Sequence, residues 1–490
     1  MAEKAGQATI AVRLDALPSA WPVWRLVVLV SLGGFFEFYD LMMTAYISPG
    51  LVKAGLFHEG KAGLFGQSDQ ATFAAATFLG LFIGTAAFGR AADRYGRRAI
   101  FTASLIWYAL ATLAMATSHT ALQLDLWRLV AGIGIGVELV TIDAYVSEIA
   151  PARLRGRAFA INQAIQFTAV PMVAFVCWRL LPLSPFGIAG WRWVMILGAS
   201  GAAMAWILRA GLPESPRWLE RRGRYAEANA IVRGLEDRPP INRAAAPPSP
   251  APPGLPPGGE EKCPSPPPLG VEGARARPDR EAVEGASRLG QLSEAFSPGY
   301  RKRTLMLVIF NIAQAIGFYG FGNWAPSLIA ARGHSVTHSL GYAFAIAAAY
   351  PLGPLLCSVF ADRFERKAQI IAAALTTAAL GLAFATQSAP AALVALGIGV
   401  TFSNNLMSYA YHAYQTELYP TRMRASAVGF VYSWSRLSTV FSSFIIAALL
   451  AGFGAGGVFA FIALAMGVVV LAVGLLGPRT SGRGLESLST

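Results

Sequence analysis

Charged residues are scarce in this 490-residue sequence, in which Asp, Glu, Lys and Arg together make up 14%. Soluble globular domains carry roughly 25% of these four types. Apolar residue types account for 54% of the sequence, and its mean hydropathy is +0.48. The apolar residues form long runs rather than the short alternating segments that are typical of a membrane β-barrel. This composition excludes an ordinary soluble domain and predicts an α-helical protein that crosses a membrane many times.

Cysteine and histidine are also rare, with three and five residues. The cysteines, Cys177, Cys263 and Cys357, lie too far apart to match a metal or disulfide motif. No two histidines lie four residues apart on one predicted membrane helix, and no Gly-x-x-x-x-Gly-Lys-Ser/Thr sequence for nucleotide phosphates occurs. These absences predict a protein that is not an enzyme and that holds no metal or other cofactor.

Twelve apolar segments are long enough to span a bilayer, because one span needs about 20 residues. Backbone groups in lipid have no water to bind, so each segment must satisfy them within a helix. The predicted fold class is therefore an all-α membrane protein with twelve transmembrane helices. The predicted spans lie near 24–48, 71–89, 99–118, 121–145, 158–181, 191–210, 304–331, 340–361, 368–387, 389–412, 424–449 and 455–477.

Positive charge is distributed unevenly between the two sides of this predicted bundle. The net charge is +13, and most Lys and Arg residues fall in loops on the side of the two termini. The positive-inside rule then predicts a multi-pass protein of the plasma or inner membrane with both termini in the cytoplasm. Because topology accounts for the basic charge, the lipid bilayer is the expected partner and nucleic acid is not. The opposite loops contain only Lys53, Lys61, Arg179, Arg192 and Arg332.

A segment of different composition separates the sixth and seventh predicted spans. Residues 239–278 contain 14 of the 30 prolines and cannot bury enough apolar area to fold. We expect a proline-rich disordered insertion there, inside a cytoplasmic loop over 211–303. The remaining predicted domains are an N-terminal six-helix bundle over 1–210, a C-terminal six-helix bundle over 304–477 and a cytoplasmic tail over 478–490.

The two halves of the sequence repeat at an offset of 269 residues. Several matches at one offset indicate duplicated six-helix bundles that are related by pseudo-symmetry. Two such bundles enclose a cavity near the membrane midplane, which is the usual architecture of a secondary transporter. Ala92-Asp93-Arg94 recurs as Ala361-Asp362-Arg363, and Tyr145, Glu148, Pro151 and Arg155 recur as Tyr414, Glu417, Pro420 and Arg424.

Four ordered motifs carry a family resemblance. GRAADRYGRR at 89–98 follows the second span, and GIGIG at 132–136 lies in the fourth. PESPRWL at 213–219 follows the sixth span, and GPRTSGRGLE at 477–486 follows the last. Together these motifs resemble the major facilitator superfamily, and within it the sugar-porter-type branch of metabolite:proton symporters. The resemblance implies a monomeric transporter that moves a small solute by alternating access.

The GRAADRYGRR loop and its repeat are interpreted as a cytoplasmic gate. Its glycines permit a tight turn, and its charged side chains can pair with groups that follow the fourth span. Such pairs would hold the halves together in the outward-facing state and break when the cytoplasmic side opens. The alternative is a charge cluster that only fixes topology. The predicted gate residues are Gly89, Asp93, Arg94, Gly96, Arg97, Arg98, Glu148, Arg155, Asp362, Arg363, Glu417 and Arg424.

Ionisable residues inside predicted spans are functional candidates, because placing them in the membrane is costly. Glu37 and Asp40 are three residues apart and share one face of the first span. The fourth span contains Arg128, which needs an anionic partner, and we expect Asp40 to be that partner. Movement of Arg128 towards and away from Asp40 would switch this carboxyl group between releasing and binding a proton. The alternative is a structural ion pair.

The resemblance supports a coupling role for this pair. In proton-coupled sugar porters an aspartate of the first span works with an arginine of the fourth, and Tyr39-Asp40 and Arg128 are similar to those positions. Phe38 stands where these porters carry glycine. Because passive relatives commonly lack the acid, the resemblance implies a proton symporter. Glu138, also on the fourth span, is a candidate for a second proton site or a substrate contact.

Arg436 is the only basic residue deep in a predicted span of the second half. A guanidinium can hold a carboxylate by two parallel hydrogen bonds, which makes Arg436 a candidate for binding an anionic substrate. A pair with Glu417 is the alternative. Polar side chains on other spans can line the same cavity, although some will only join helices. The predicted substrate-binding residues are Tyr39, Gln163, Gln166, Gln314, Tyr319, Asn323, Asn404, Asn405, Tyr409 and Arg436.

The substrate class is predicted from matches to the family pattern and departures from it. Gln163 resembles a sugar-binding glutamine, but hexose porters carry asparagine where Tyr319 stands and Gly-Pro-x-Pro-Trp where SYAYH occurs at 408–412. YQTELYPT at 414–421, together with Arg436, resembles the niacin, aromatic-acid and synaptic-vesicle-glycoprotein-like porters. We therefore expect proton symport of a small organic anion. The alternatives are a proton-coupled sugar or polyol porter, a passive facilitator, an export antiporter and a transport-inactive sensor.

Overall fold

Helices account for all the regular elements that the structure describes. The structure is a computed structural model. It describes residues 10–19, 21–58, 68–88, 94–151, 154–209, 211–236, 293–360 and 364–479.

The N-terminal half begins with a short helix, which precedes the long apolar helices, and a single 3-10 turn at Pro185–Gly187 separates the last two helices. Its helices are α1 (Ile10–Ala16), α2 (Trp21–Lys53), α3 (Asp69–Phe88), α4 (Arg97–Ala116), α5 (Ala121–Ile149), α6 (Arg155–Phe167), α7 (Ala169–Leu180) and α8 (Gly190–Arg209).

Two short helices follow the N-terminal half and precede the proline-rich segment, which lies outside the described residues. They are α9 (Pro216–Arg221) and α10 (Tyr225–Glu236). The C-terminal half contains α11 (Arg301–Gly322), α12 (Ala325–Ala330), α13 (Val336–Ala347), α14 (Leu352–Phe360), α15 (Arg366–Thr386), α16 (Pro390–Glu417) and α17 (Thr421–Leu476).

The number of membrane passes agrees with the predicted twelve. Ten helical stretches of the described residues are long and apolar enough to cross a bilayer. One of them, Ser426–Leu476, has 51 residues and is broken at Gly454, so it supplies two passes. The Gly454 φ angle is +62°, a conformation that favours glycine. Helix α3, with 20 residues, supplies the twelfth pass.

Three spans are interrupted near a proline, which the predicted segments did not anticipate. The fifth span divides into α6 and α7 at Thr168, three residues before Pro171. Helix α12 begins next to Pro326, and Pro351 lies between α13 and α14. Proline has no backbone N–H to donate, and its ring clashes with the carbonyl group of the preceding turn. These prolines therefore set the breaks.

Helices α3 and α5 approach closely because glycines line their interface. A Cβ atom on Gly80 would overlap the Leu129 carbonyl oxygen, and one on Gly132 would lie 2.6 Å from the Thr77 carbonyl oxygen. Small residues of this kind let membrane helices pack backbone to backbone. The close approach brings the Thr77 hydroxyl of α3 within 2.9 Å of the Arg128 side chain of α5.

The two halves meet where α3 contacts α17, α7 contacts α13 and α6 contacts α14. At the end of the bundle where α3 begins, the rings of Trp178 and Phe344 stack with their centroids 6.0 Å apart. Gln70 and Ser327 exchange side-chain hydrogen bonds of 3.0 and 3.1 Å there. We call this end the Asp69 face. The other end, which carries α1, α9 and α10, is the terminal face.

Helix α1, which was not among the predicted segments, packs on α9 and α10 at the terminal face. The Leu14 side chain is fully buried against them. The Arg13 guanidinium binds both carboxylate oxygens of Glu236, at 3.0 and 2.6 Å, and this contact holds the pKa of Glu236 below its ordinary value. Asp15 pairs with Arg217 at 2.8 Å. Apolar burial and ion pairs together fix α1 in place.

We expect Gly132→Ala to lower the thermal stability of the protein, because the added methyl group would push α3 and α5 apart. Overpacking of a tight interface costs about 1–3 kcal/mol. The measurement is the apparent melting temperature of the purified protein in detergent. Gly467→Ala is the matched control, since a Cβ atom there meets nothing within 4 Å. Equal melting temperatures of the two variants would contradict this account of the interface.

Candidate functional site

A buried ion pair joins α2 and α5. Arg128 Nη1 lies 2.6 Å from Asp40 Oδ2, and the side chains are 0% and 3% exposed. Arg128 Nη2 also donates to the Asp40 carbonyl oxygen at 2.6 Å. The contact that the sequence predicted is therefore present, and it ties the first membrane pass to the fourth.

Threonine hydroxyls complete the surroundings of this pair. Thr112 of α4 donates to Asp40 Oδ1 at 2.8 Å, and Arg128 Nε donates to Thr77 Oγ1 at 2.9 Å. Both carboxylate oxygens and all three guanidinium nitrogens thus have partners, as the burial of charge requires. Sequence reasoning missed these threonines, because a hydroxyl group in a membrane helix leaves no distinctive pattern.

A second buried ion pair joins α5 and α8. Arg209 Nη1 lies 2.6 Å from Glu138 Oε1, and its other nitrogens donate to the carbonyl oxygens of Leu29 and Val30. Gly33 leaves the room for this guanidinium, since a Cβ atom there would overlap it. The sequence singled out Glu138 but not its partner. Arg209 stands at the end of its span, where an arginine ordinarily signals topology.

Glu37 is a buried carboxyl group with an incomplete set of hydrogen bonds. The residue is 1% exposed, and its Oε1 has no hydrogen-bond partner among the described residues. Its charge interacts with Glu138 and Arg209 of the same half and with Arg436 of the other half. Glu37 therefore lies near the Glu138–Arg209 pair of the N-terminal half and within electrostatic range of the cation of the C-terminal half.

Arg436 of α17 is a buried guanidinium whose partners are phenols. It donates from Nη1 to the Tyr319 hydroxyl and from Nη2 to the Tyr432 hydroxyl, the latter at 3.1 Å. No carboxylate of the described chain lies within ion-pair distance of it. Glu417, the alternative partner, instead faces Arg366 at 3.6 Å. Arg436 is thus a buried cation that has hydrogen bonds to phenols and forms no direct ion pair in the part of the chain that is described, and Glu37 is the carboxyl group whose charge acts on it from a greater distance.

Tyr319 places this cation at the boundary between the halves. Its ring makes an edge contact with Phe78 of α3, with centroids 4.7 Å apart, and another with Phe318 at 5.0 Å. Tyr432 lies one turn before Arg436 on the same helix and was not among the predicted site residues. The i, i+4 spacing of Tyr432 and Arg436 in the sequence could have indicated that their side chains meet on one helix face.

Three predicted substrate residues of the N-terminal half differ in their surroundings. Tyr39 is buried, and its hydroxyl donates to a carbonyl oxygen of α8 at 3.2 Å. Gln166 Nε2 donates to Asn162 Oδ1 at 3.1 Å and packs on Gly34. Gln163 is partly exposed. Tyr39 and Gln166 have partners within the bundle, whereas the Gln163 side chain is accessible.

The C-terminal half contains amide groups with unused acceptors. The side-chain oxygens of Asn323, Asn404 and Asn405 are buried and have no hydrogen-bond partner among the described residues. The amide nitrogens of Asn404 and Asn405 donate to backbone carbonyl oxygens at 3.4 and 3.3 Å. Gln314 is also buried, and Tyr409 is partly buried. Unpartnered amide oxygens in an apolar interior suit the hydroxyl or amine groups of a solute.

At the terminal face, part of the predicted gate forms a network. Arg97 of α4 pairs with Glu148 of α5 at 3.0 Å. Glu214, which follows α8, accepts from the backbone N–H groups of Arg97 at 2.9 Å and Arg98 at 3.2 Å. Gly96 has a φ of +100°, and a Cβ atom there would overlap the Glu214 carboxylate. Glycine is thus required at the start of α4, where an acidic side chain compensates the helix N-terminus.

Further contacts of described gate residues also lie within one half. Arg155 lies 3.6 Å from Asp15 of α1, and Glu417 lies 3.6 Å from Arg366. The Arg94 guanidinium is 5.6 Å from the ring centroid of the neighbouring tyrosine. These pairs order the end of each bundle. Gly89, Asp93, Asp362, Arg363 and the side chain of Arg424 lie outside the described residues.

Two family models match the chain, one in each half. The model "Sugar (and other) transporter" matches residues 26–247, and the model "Major Facilitator Superfamily" matches residues 307–488. Residues 248–306, which include most of the proline-rich segment, lie between the two matches.

Relatives match the chain over nearly its whole length. The putative metabolite transport protein YyaJ of Bacillus subtilis is 29% identical over 471 residues, which cover 96% of each protein. The niacin transporter NiaP of Acinetobacter baylyi is 24% identical over 479 residues, which cover 97% of this chain and 98% of that protein.

The fold is shared with the xylose transporter XylE from E. coli. A partially occluded inward-open structure of XylE superimposes with a TM-score of 0.70 at 19% identity, over 94% of this chain and 99% of XylE. Another XylE structure describes that protein as a proton:xylose symporter. The motifs, the helical architecture and the two family models agree, and the chain belongs to the major facilitator superfamily as a multi-pass membrane transporter of metabolites or sugars, not an enzyme.

Proposed function

We propose that this transporter is a proton symporter for a small organic anion, of the niacin or aromatic-acid type, which works by alternating access. The observation that carries this proposal is Arg436. This residue is 3% exposed and lies at the boundary between the halves, and its guanidinium has only phenol groups as hydrogen-bond partners in the described chain.

A negatively charged substrate would complete the Arg436 site. Burying a guanidinium is costly unless an opposite charge compensates it, and the neutral phenols of Tyr319 and Tyr432 supply hydrogen bonds but no charge. A carboxylate can bind a guanidinium through two parallel hydrogen bonds. The rings of Phe78 and Phe318 beside Tyr319 would pack against an aromatic acid. The similarity to a niacin transporter supports a substrate of this kind.

Proton coupling is assigned to Asp40 and Arg128, with Glu37 and Glu138 as further candidates. Protonation of Asp40 would remove its charge and weaken its bond to Arg128, while Thr77 and backbone carbonyls would continue to hold the guanidinium. The two protonation states would thus differ in how tightly α2 is held to α5. A proton could therefore bias the balance between outward-facing and inward-facing states.

The proposed orientation in a plasma or inner membrane places the terminal face in the cytoplasm and the Asp69 face outside, as the positive-inside rule suggests. The bundles over 1–210 and 304–477 would then rock about the substrate. The Trp178–Phe344 and Gln70–Ser327 contacts would form an outer gate. The charge network around Glu148 would stabilise the cytoplasmic end of the N-terminal bundle.

A sugar or polyol is the second candidate substrate, and the amide groups of the C-terminal half favour it. The unpartnered oxygens of Asn323, Asn404 and Asn405 would accept hydrogen bonds from hydroxyl groups. The match to the sugar transporter model and the fold shared with XylE support this alternative. Thermal-shift measurements with a panel of small carboxylates and a panel of sugars would distinguish the two classes.

We expect Asp40→Asn to abolish uphill uptake while counterflow exchange continues. Asparagine keeps the shape of the aspartate side chain, and its oxygen can accept a hydrogen bond from Arg128, but it cannot bind and release a proton. The measurement is substrate accumulation in proteoliposomes under an inward proton gradient, compared with exchange at equal pH on both sides. Gradient-driven accumulation that matches the unsubstituted protein would exclude Asp40 as the coupling group.

We expect Arg436→Gln to weaken binding of the anionic substrate by about 2–3 kcal/mol, which is on the order of a hundredfold in Kd. Glutamine removes the charge and the fork of donors that a carboxylate needs. The measurement is titration of the carboxylate that gives the largest thermal shift. Tyr432→Phe, which removes one phenol contact and keeps the charge, is the matched control. Equal Kd values for Arg436→Gln and the unsubstituted protein would rule out an anion site at Arg436.

A further inference from the structure

The two carboxylate oxygens of Asp40 have different hydrogen-bond partners. Asp40 Oδ2 lies 2.6 Å from Arg128 Nη1, whereas Asp40 Oδ1 accepts a hydrogen bond of 2.8 Å from the Thr112 hydroxyl of α4. Among the described residues, Thr112 is the only hydrogen-bond partner of Oδ1. Asp40 is 2% exposed and Thr112 is 1% exposed. A single buried hydroxyl group therefore satisfies the carboxylate oxygen that faces away from the arginine.

The Arg128 guanidinium is engaged with other acceptors and leaves Oδ1 to Thr112. Its Nε donates to Thr77 Oγ1 at 2.9 Å, and its Nη2 donates to the Asp40 backbone carbonyl oxygen at 2.6 Å. An arginine side chain does not lose its proton in a protein. A proton that binds to this pair must therefore bind to the carboxylate, and Oδ1 is the oxygen that is not already bonded to a cation.

The hydroxyl hydrogens of the two threonines beside the pair are directed differently. The Thr77 hydroxyl donates to the Phe73 carbonyl oxygen at 3.0 Å, one turn earlier on its own helix, and accepts from Arg128. A threonine in a helix commonly makes such a bond to its own backbone. The Thr112 hydroxyl instead donates to Asp40 and to no backbone carbonyl oxygen of the described chain. Its hydrogen is thus committed to the carboxylate.

A hydroxyl group in this position favours the ionised form of Asp40. A hydrogen bond to a charged acceptor is roughly twice as strong as one between neutral groups. When a proton occupies Oδ1, the Thr112 hydroxyl can turn to the carbonyl group one turn earlier on α4 and accept from the new O–H group. The same side chain can then serve both protonation states, but its stronger hydrogen bond is the one to the ionised state.

The charged and titratable groups around Asp40 leave this role to Thr112. Arg128 of α5 is the cation of the pair, and Glu37 and Tyr39 lie on α2 itself. Tyr108 precedes Thr112 by one turn of α4, and its phenol interacts with the charge of Asp40. The Tyr108 hydroxyl has no hydrogen-bond partner among the described residues. Apart from Arg128 and Thr112, no described side chain donates to the Asp40 carboxylate.

We infer that the coupling proton binds to Asp40 at Oδ1 and that Thr112 is a positioning residue that sets the pH range in which this carboxyl group binds and releases it. The inference rests on the proton symport proposed above. During uptake an O–H bond forms at Oδ1 with a proton from the water on one side of the membrane, and this bond breaks when the proton returns to water on the other side. Arg128 keeps its protons, so the net charge of the pair changes from zero to +1.

Thr112→Val tests this inference in proteoliposomes that contain the full chain. Valine keeps the shape of the side chain but cannot donate, so the ionised form of Asp40 loses its Oδ1 partner. We expect uptake driven by an inward proton gradient to persist to higher external pH, with the midpoint of its pH profile raised by about one unit. Thr112→Ser keeps the hydroxyl and should retain the original midpoint. Thr376→Val is the matched control, because that hydroxyl binds only a carbonyl oxygen of its own helix.

An unchanged pH profile in Thr112→Val would overturn the inference, and so would an equal shift in Thr112→Ser. If Thr112→Val fails to fold, Thr112→Ala removes the same hydroxyl and should give the same upward shift.

Infrared difference spectroscopy of the purified protein measures the same effect without transport. The C=O stretching band of protonated Asp40 is identified by its absence from Asp40→Asn, and in Thr112→Val it should persist to higher pH. If the unsubstituted protein shows no gradient-driven accumulation, proton symport itself fails, and the infrared midpoints alone decide whether Thr112 controls proton binding at Asp40. If accumulation is normal but the midpoints of Thr112→Val and the unsubstituted protein coincide, only the inference about Thr112 fails.

Discussion

The free-energy cost of placing charge inside a membrane protein governs the arrangement of this structure. Asp40 with Arg128 and Glu138 with Arg209 form two buried pairs, in which threonine hydroxyls and backbone carbonyls provide further hydrogen bonds. Replacement of a buried ion pair by apolar residues is often neutral or stabilising. Stability alone therefore does not account for these pairs. Their chemistry suits a protein whose conformation must respond to the gain or loss of a proton.

The two halves share an architecture but differ in their interior chemistry. The buried ion pairs described above belong to the N-terminal half, whereas the C-terminal half contributes Arg436 and several amide oxygens without partners. Under the function proposed above, this division would separate proton handling from solute binding. The two functions would meet at Tyr319, which binds Arg436 in one half and packs on Phe78 of the other. Glu37, whose charge interacts with that of Arg436, extends the N-terminal half towards the same place.

The twelve passes could be predicted from the sequence, because lipid leaves an apolar segment no stable alternative to a helix. The break beside Pro171 was not predicted, because average hydropathy does not register one missing hydrogen bond. The Asp40–Arg128 contact followed from charge burial and the family resemblance, which together identified neighbouring helices. Arg209 was missed because a charge at a span end has an ordinary explanation in topology. Thr112 was missed because a hydroxyl in a helix can equally well bind its own backbone.

The position of α1 has a consequence for how the chain is made. Arg13 and Glu236 are 223 residues apart in the chain yet share two hydrogen bonds. During translation α1 leaves the ribosome long before α10 has been synthesised, and six membrane passes must be inserted in between. Leu14, which is fully buried in the finished protein, therefore stays uncovered during that interval. Helix α1 can pack against α9 and α10 only late in biogenesis. Until then its apolar side needs shielding by the insertion machinery or the lipid surface.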